Sequence, residues 1–319
     1  MNQANPRLRP GDLVEVKGPE EILQTLDADG TVDHLPFMPE MMEFCGRRFR
    51  VSRRVVKTCF TGSSSTMPST MLAFKTNDVV TLDGVRCSGA AHDGCQKDCM
   101  IFWRDAWLRK VDASGPARDV DSEGTARLGV RLKTSTGPTT YFCQASELLK
   151  AARRLTRWER LRKCISEVRA GNCTAWQMAH RLSIWLFWRI RRVFWGEYAR
   201  GPHAAKTPVE SLSLVPGESV AVKPMESILD TLNEAGRNRG LYFSPDMRLL
   251  CGATTRVKAR LDKIIDDGTG EMRHLRNTVA LEGSLCGCAQ VAFGGCSRCE
   301  VVYWREIWLR RSVQKDRVH

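Results

Sequence analysis

The chain has 319 residues, of which 42% are hydrophobic and 27% charged, an ordinary globular composition with length for two or three cores. No apolar run approaches the roughly 18–20 residues of a membrane-spanning helix. Thirteen cysteines and a formal charge of +13 turn attention to metal or thiol chemistry and to an anionic partner.

The opening Met1-Asn2-Gln3-Ala4-Asn5-Pro6 lacks a basic start followed by an apolar stretch, so no export signal is visible and a cytoplasmic location is expected. A reducing compartment keeps thiols free, which argues against a disulfide framework. From Pro10 the sequence then begins a pattern that it later repeats. Pro10-Gly11-Asp12-Leu13-Val14-Glu15-Val16-Lys17 answers to Pro216-Gly217-Glu218-Ser219-Val220-Ala221-Val222-Lys223, and the match runs without a gap to Cys45-Gly46 and Cys251-Gly252. Over that stretch 17 of 37 aligned positions are identical. The copies rejoin at Leu82-Asp83-Gly84 and Leu281-Glu282-Gly283. They close on Phe102-Trp103-Arg104-Asp105-Ala106-Trp107-Leu108 and Tyr303-Trp304-Arg305-Glu306-Ile307-Trp308-Leu309.

Each copy reads as short strands: Val14 and Val16 alternating after a Pro-Gly turn, then Arg48–Val55, then Asp78–Leu82, then the Trp-rich ending. The Trp-Arg-acid-x-Trp motif, taken as a strand, puts both tryptophans on one face as a wall of the module; the competing reading is an aromatic platform for bases or a sugar. Residues 111–145 form an irregular connection with one expected strand at Thr139–Cys143. From Glu147 to Arg169 apolar residues recur with a helical rhythm. Gly171 breaks it, and Asn172 or Thr174 is placed to cap a second helix reaching about Trp195. Between Ser146 and Ala205 there are 13 Lys/Arg against 4 Glu, and five of the nine tryptophans. The expected fold is mainly β with α: two tandem SH3-like small β-barrel modules separated by a basic helical hairpin. The divisions are a first Cys-rich β module at 1–110, the connection at 111–145, the Trp/Arg-rich hairpin and linker at 146–205, and a second Cys-rich module at 206–319.

The motifs Gly236-Arg237-Asn238-Arg239-Gly240-Leu241 and Tyr303-Trp304-Arg305-Glu306-Ile307-Trp308-Leu309, with Leu35-Pro36-Phe37-Met38-Pro39-Glu40-Met41 in the first copy, resemble a bacterial family of duplicated Cys-rich modules. The resemblance covers both modules and implies the duplicated architecture. It brings no assigned activity.

Two cysteine clusters carry the chemistry. The first is Cys87-x4-His92-x2-Cys95-x3-Cys99, to which Cys59 is assigned; the second is Cys286-x-Cys288-x7-Cys296-x2-Cys299. Four thiolate or imidazole ligands in a Gly-rich loop suit tetrahedral zinc. An iron–sulfur cluster is the alternative, although the spacings match no ferredoxin run. The bland reading is that these thiols simply fill cores. Cys59 aligns with Ile265 and His92 has no histidine counterpart, so the two clusters are not equivalent. The hairpin offers Arg181, Trp185, Trp188, Arg189, Arg191 and Arg192 to an anionic partner, with a packed hairpin bearing solvated arginines as the bland reading.

No His-Glu-x-x-His, Gly-x-Ser-x-Gly or dinucleotide fingerprint appears. The sequence therefore points to a zinc-stabilised binding scaffold for an anionic partner, foremost nucleic acid. The alternatives are a metal- or thiol-dependent redox enzyme, with Cys95 and Cys99 or Cys296 and Cys299 as its pair, and a scaffold in peripheral contact with a membrane.

Overall fold

The computed structural model describes residues 7–60, 70–112, 121–196, 198–286 and 293–312. It is mixed, mainly sheet with some helix, and its strands are gathered in small antiparallel sheets. The first five-stranded sheet takes β1 (Leu13–Val16), β2 (Arg48–Arg54), β3 (Val79–Leu82), β4 (Trp103–Arg104) and β5 (Leu108–Lys110) in the order β4-β3-β2-β1-β5. The second takes β6 (Ser219–Val222), β7 (Thr254–Arg260), β8 (Thr278–Leu285), β9 (Val301–Arg305) and β10 (Leu309–Arg311) in the order β9-β8-β7-β6-β10. Strand by strand the two orders correspond. Both second strands slip register at the same aligned place, between Val51 and Arg53 and between Val257 and Ala259. A bulge there sharpens the local twist and lets each sheet curl around its core.

The Trp-rich ending is not the single strand its alternation predicts. β4 ends at Arg104, a 3-10 turn covers Asp105–Trp107, and β5 then begins. The turn rotates Trp107 back beneath the sheet, so that Trp103 and Trp107 are both fully buried, as are Trp304 and Trp308. Phe37 meets Trp103 and Trp107 edge to face at 6.2 and 5.2 Å, and Phe243 meets Trp304 and Trp308 at 6.2 and 5.3 Å. The indole N–H of Trp107 donates to Thr25 Oγ1 (3.1 Å) and that of Trp308 to Thr231 Oγ1 (2.9 Å), which satisfies the polar edge of a buried ring. Rings so placed offer no platform to a ligand.

In the middle of the chain the helical rhythm from Glu147 to Arg169 is interrupted. Leu148–Ala151 makes one turn, and Ala152–Arg154 becomes a strand paired with Thr70–Phe74. Thr156 then starts α1 (Arg157–Arg169) with a capping box, its side chain and that of Glu159 each satisfying the other's backbone N–H. The apolar Leu155 faces a buried cluster beside Cys59 and Met71, which fixes the break. Thr174 caps α2 (Ala175–Trp195) through Gln177. The connection holds a helix that sequence reading missed, Ser122–Arg131. Two glycines weaken its signal, and Asp121 caps it by accepting from the N–H groups of Glu123 and Gly124. The strand expected at Thr139–Cys143 shrinks to Thr140–Tyr141. Leu128, Leu132, Leu148 and Ala151 join the core of the first sheet, so that core draws on the connection as well as on residues before 110.

Candidate functional site

The two sheets meet at a seam where each copy's cysteine loop receives the other copy's extra strand. In one direction Gln96 N–H donates to Lys263 O (3.0 Å), and in the other Ser297 N–H donates to Lys57 O (3.4 Å). Lys97 Nζ reaches Ile265 O (3.4 Å), and Arg298 Nη1 reaches Cys59 O (3.1 Å). Ile265 N–H points at Cys95 Sγ (3.2 Å), while Cys59 Sγ lies 3.2 Å from Cys296 Sγ. By the alignment Lys57, Cys59, Gln96 and Lys97 correspond to Lys263, Ile265, Ser297 and Arg298, so these three pairs of contacts are reciprocal. Asp267 sits between them, fully buried, accepting from Lys97 Nζ at 2.6 Å and from Arg298 at 2.8 and 3.2 Å. Burial raises its pKa, but the two adjacent cations prevail and hold it at about 2.

The seam redistributes the proposed ligands. Cys59, grouped by sequence with the first cluster, belongs instead beside Cys296 and Cys286 of the second. Cys87, Cys95 and Cys99 line a cavity of about 30 Å³ together with Cys143, Met38 and Ile265. That volume suits one water or one ion. Cys143, which comes from the connection, carries no spacing signal and was missed. So were Asp267, Lys97 and Arg298, whose partners are distant in sequence. Cys288 lies outside the described residues. Cys299 contributes its carbonyl to the seam, accepting from Arg86 Nη2 at 2.9 Å.

His92 also lines this cavity, but both of its ring nitrogens are engaged elsewhere. Its Nδ1 lies 2.6 Å from Glu40 Oε1 and its Nε2 lies 2.9 Å from Phe142 O, both acceptors. Both nitrogens must therefore carry protons, leaving no lone pair for a metal. Burial opposes that charge, yet the Glu40 hydrogen bond outweighs it and His92 is raised; Glu40 is correspondingly lowered against its own burial. Among the described residues, no three His, Cys, Asp or Glu side chains stand together in metal-binding geometry. Burial pushes the Cys87, Cys99, Cys143 and Cys299 thiols up, so without an ion they stay neutral at physiological pH.

The hairpin is tied down by Cys164, Cys173 and Met178, packed with Val168, Leu182 and Phe293. Along α2, Met178, Leu182, Trp185 and Trp188 lie toward the protein. Trp185 stacks edge to face on Phe293 (4.9 Å) and Trp188 on Tyr198 (5.0 Å). Arg191 lies over the Trp188 and Tyr198 rings at 5.7 and 5.6 Å. Arg181 is half-buried, whereas Arg189 and Arg192 are exposed. The residues that sequence reading did not single out are the apolar ones on the outer face. Trp176, Phe187, Val193 and Phe194 are exposed to 81, 61, 74 and 73%, and Leu186 and Ile190 continue the same stripe. From Leu186 onward they recur every three or four residues, as one face of a helix requires, while His180 and Ser183 occupy that face between Trp176 and Phe187. On α1, Trp158, Leu161 and Ile165 are exposed with the same periodicity. No Asp or Glu occurs within α2. Among the described residues, no helix is long and apolar enough to cross a membrane.

Comparison with protein-family models, curated proteins and solved structures returns no match.

Proposed function

We propose that the protein is a binding scaffold rather than an enzyme: two SH3-like modules, clasped at the Asp267 seam, present the α1–α2 hairpin to an anionic membrane surface. The observation that carries this reading is the outer face of the C-terminal half of α2, where Leu186, Phe187, Ile190, Val193 and Phe194 are exposed, bordered by Arg189 and Arg191 on a helix without acids. A helix lying in a bilayer interface has this composition, with Trp, Phe and Leu toward the acyl chains and arginines toward the headgroups. Each arginine near an anionic leaflet adds about 1 kcal/mol. Nucleic acid, the foremost expectation from charge, is less well served. Phosphate contacts need cations at the centre of the exposed face, where Leu186, Ile190 and Val193 stand.

Flotation with vesicles containing phosphatidylserine, against phosphatidylcholine alone, tests the reading. The intact protein should float with anionic vesicles, less so at high salt, and Phe187→Ser with Phe194→Ser should abolish it without changing the circular dichroism. A protein that stays at the bottom with both vesicle types, yet retards single-stranded nucleic acid, would transfer the hairpin to the nucleic-acid reading.

A stabilising zinc ion belongs to the same proposal, and the Cys59–Cys296 pair is its best support. Two sulfurs on one tetrahedral zinc stand roughly 3.8 Å apart, given bonds of about 2.3 Å. The observed 3.2 Å is close to that, and Cys286 is packed in the same cluster. An ion there would draw Cys286 and Cys299 inward. Burial raises the Cys99 and Cys299 thiols, so neither of these two is poised as the attacking thiolate of a redox pair.

A further inference from the structure

The two copies serve as controls for each other, and at one position they differ in charge. In the first copy the buried guanidinium of Arg104 is neutralised: Nη1 lies 2.7 Å from Asp78 and 3.4 Å from Asp33, and Nη2 donates to Val32 O at 2.9 Å. Its counterpart in the second copy is Arg305. There the alignment puts Arg239 in place of Asp33 and Asn277 in place of Asp78. The backbone is alike, since Asp33 and Arg239 both adopt the left-handed conformation at φ +48°. The local charge thus passes from −1 (one Arg and two Asp) to +2 (two Arg) on the same frame.

Arg305 is left with neutral acceptors. Its Nη1 donates to Arg276 O (2.7 Å) and Thr278 Oγ1 (2.8 Å), its Nη2 to Arg239 O (2.8 Å), and its Nε to Asn238 O (3.3 Å). Among the described residues, no carboxylate pairs with Arg239, Arg276 or Arg305. Burial and the neighbouring Arg239 both work against the charge on Arg305. These groups open onto a cavity of about 570 Å³, also lined by Arg273, His274 and Asn277. Arg273 is paired with Asp266, and Glu210, which also lines the cavity, is paired with Lys223.

We propose that this cavity is a binding site for a small phosphorylated molecule. Its volume falls in the range of ligand pockets, roughly 300–1,000 Å³. Guanidinium forks match phosphoryl oxygens two by two, and a dianion would supply the counter-charge that Asp33 and Asp78 supply in the first copy. The site lies on the second copy and includes no residue of α1 or α2, so it stands apart from the membrane reading.

Isothermal titration of the full chain with inorganic pyrophosphate tests it. Saturable one-to-one binding is expected, weakened at least tenfold in Arg239→Asp with Asn277→Asp. That variant rebuilds the carboxylate pair with which the first copy already folds, and thermal unfolding confirms that it is intact. Citrate should bind at least tenfold more weakly than pyrophosphate. The proposal is overturned by wild-type protein that takes up no pyrophosphate at millimolar concentration, by a folded double variant that binds equally well, or by citrate binding as tight as pyrophosphate.

Discussion

Replacing Asp267 with asparagine keeps the shape of the seam and removes its central charge. Lys97 then has no carboxylate partner, while Arg298 keeps Glu300 at 2.8 Å. Breaking a buried ion pair by removing one member costs about 3–5 kcal/mol, because the remaining charge stays desolvated. The lower end applies, since the asparagine amide oxygen still accepts one hydrogen bond. Equilibrium urea unfolding followed by tryptophan fluorescence and circular dichroism should show a loss of about 3 kcal/mol. Lys97→Met in the Asp267→Asn background should restore part of it, a coupling of at least about 1 kcal/mol. The pH dependence has a definite sign. Asp267 is lowered from 3.8 to about 2 in the folded protein, so its contribution is present above 3.8 and fades as pH falls toward 2. A wild-type advantage under about 1 kcal/mol, or one that is the same near pH 6 and near pH 3, would refute electrostatic clasping of the seam.

Cys59→Ile places in the first copy the residue found at the matching position of the second, so the fold should survive while the metal is lost. Elemental analysis should give about one zinc per wild-type chain and none in the variant; wild type prepared without metal resins and free of zinc would end the zinc proposal. Glu40→Gln should destabilise by about 1–3 kcal/mol near neutral pH. The His92 contribution is complete below its ordinary value of 6.5 and fades as pH rises through the raised folded value, while that of Glu40 is present above 4.5 and fades as pH falls. The difference between the two proteins should therefore shrink at both extremes, and a flat difference across thermal-unfolding profiles would contradict the ion pair. Trp308→Phe removes the donor to Thr231 Oγ1 along with ring volume, and should lower stability by about 1–3 kcal/mol in urea unfolding.

Alternation and turn chemistry gave away the sheets: Val14 and Val220 sit where their polar neighbours and the Pro-Gly turns place them, and Thr174 caps α2 as its position implies. Local pattern failed where a distant partner decided. Ala152–Arg154 has a helical rhythm, but its backbone is claimed by Thr70–Phe74, about 80 residues earlier. The Ser122–Arg131 helix is held by Asp121 and by packing on Pro19–Leu23, including the Arg127–Glu20 pair at 2.7 Å, against weak intrinsic propensity. At the candidate site, cysteine spacing found the loops but not their membership. Cys59 and Cys143 join through the tertiary fold, and His92 is spent on Glu40, a partner 52 residues away. The Arg239 and Asn277 exchanges were visible all along in the alignment of the copies, but their meaning needed the Arg104 ion pairs to be seen first.

The reciprocal strand-into-loop contacts have the symmetry of a homodimer interface. Two identical chains related by a two-fold axis would make the same exchange, with every contact occurring twice. In such a homodimer any residue near the axis faces its own copy and cannot be varied alone. Once both halves share one polypeptide that constraint is gone: cysteine can stand opposite isoleucine, and lysine can share its acid with arginine. Within one polypeptide, one half can thus lack the neutralising carboxylates that the other keeps.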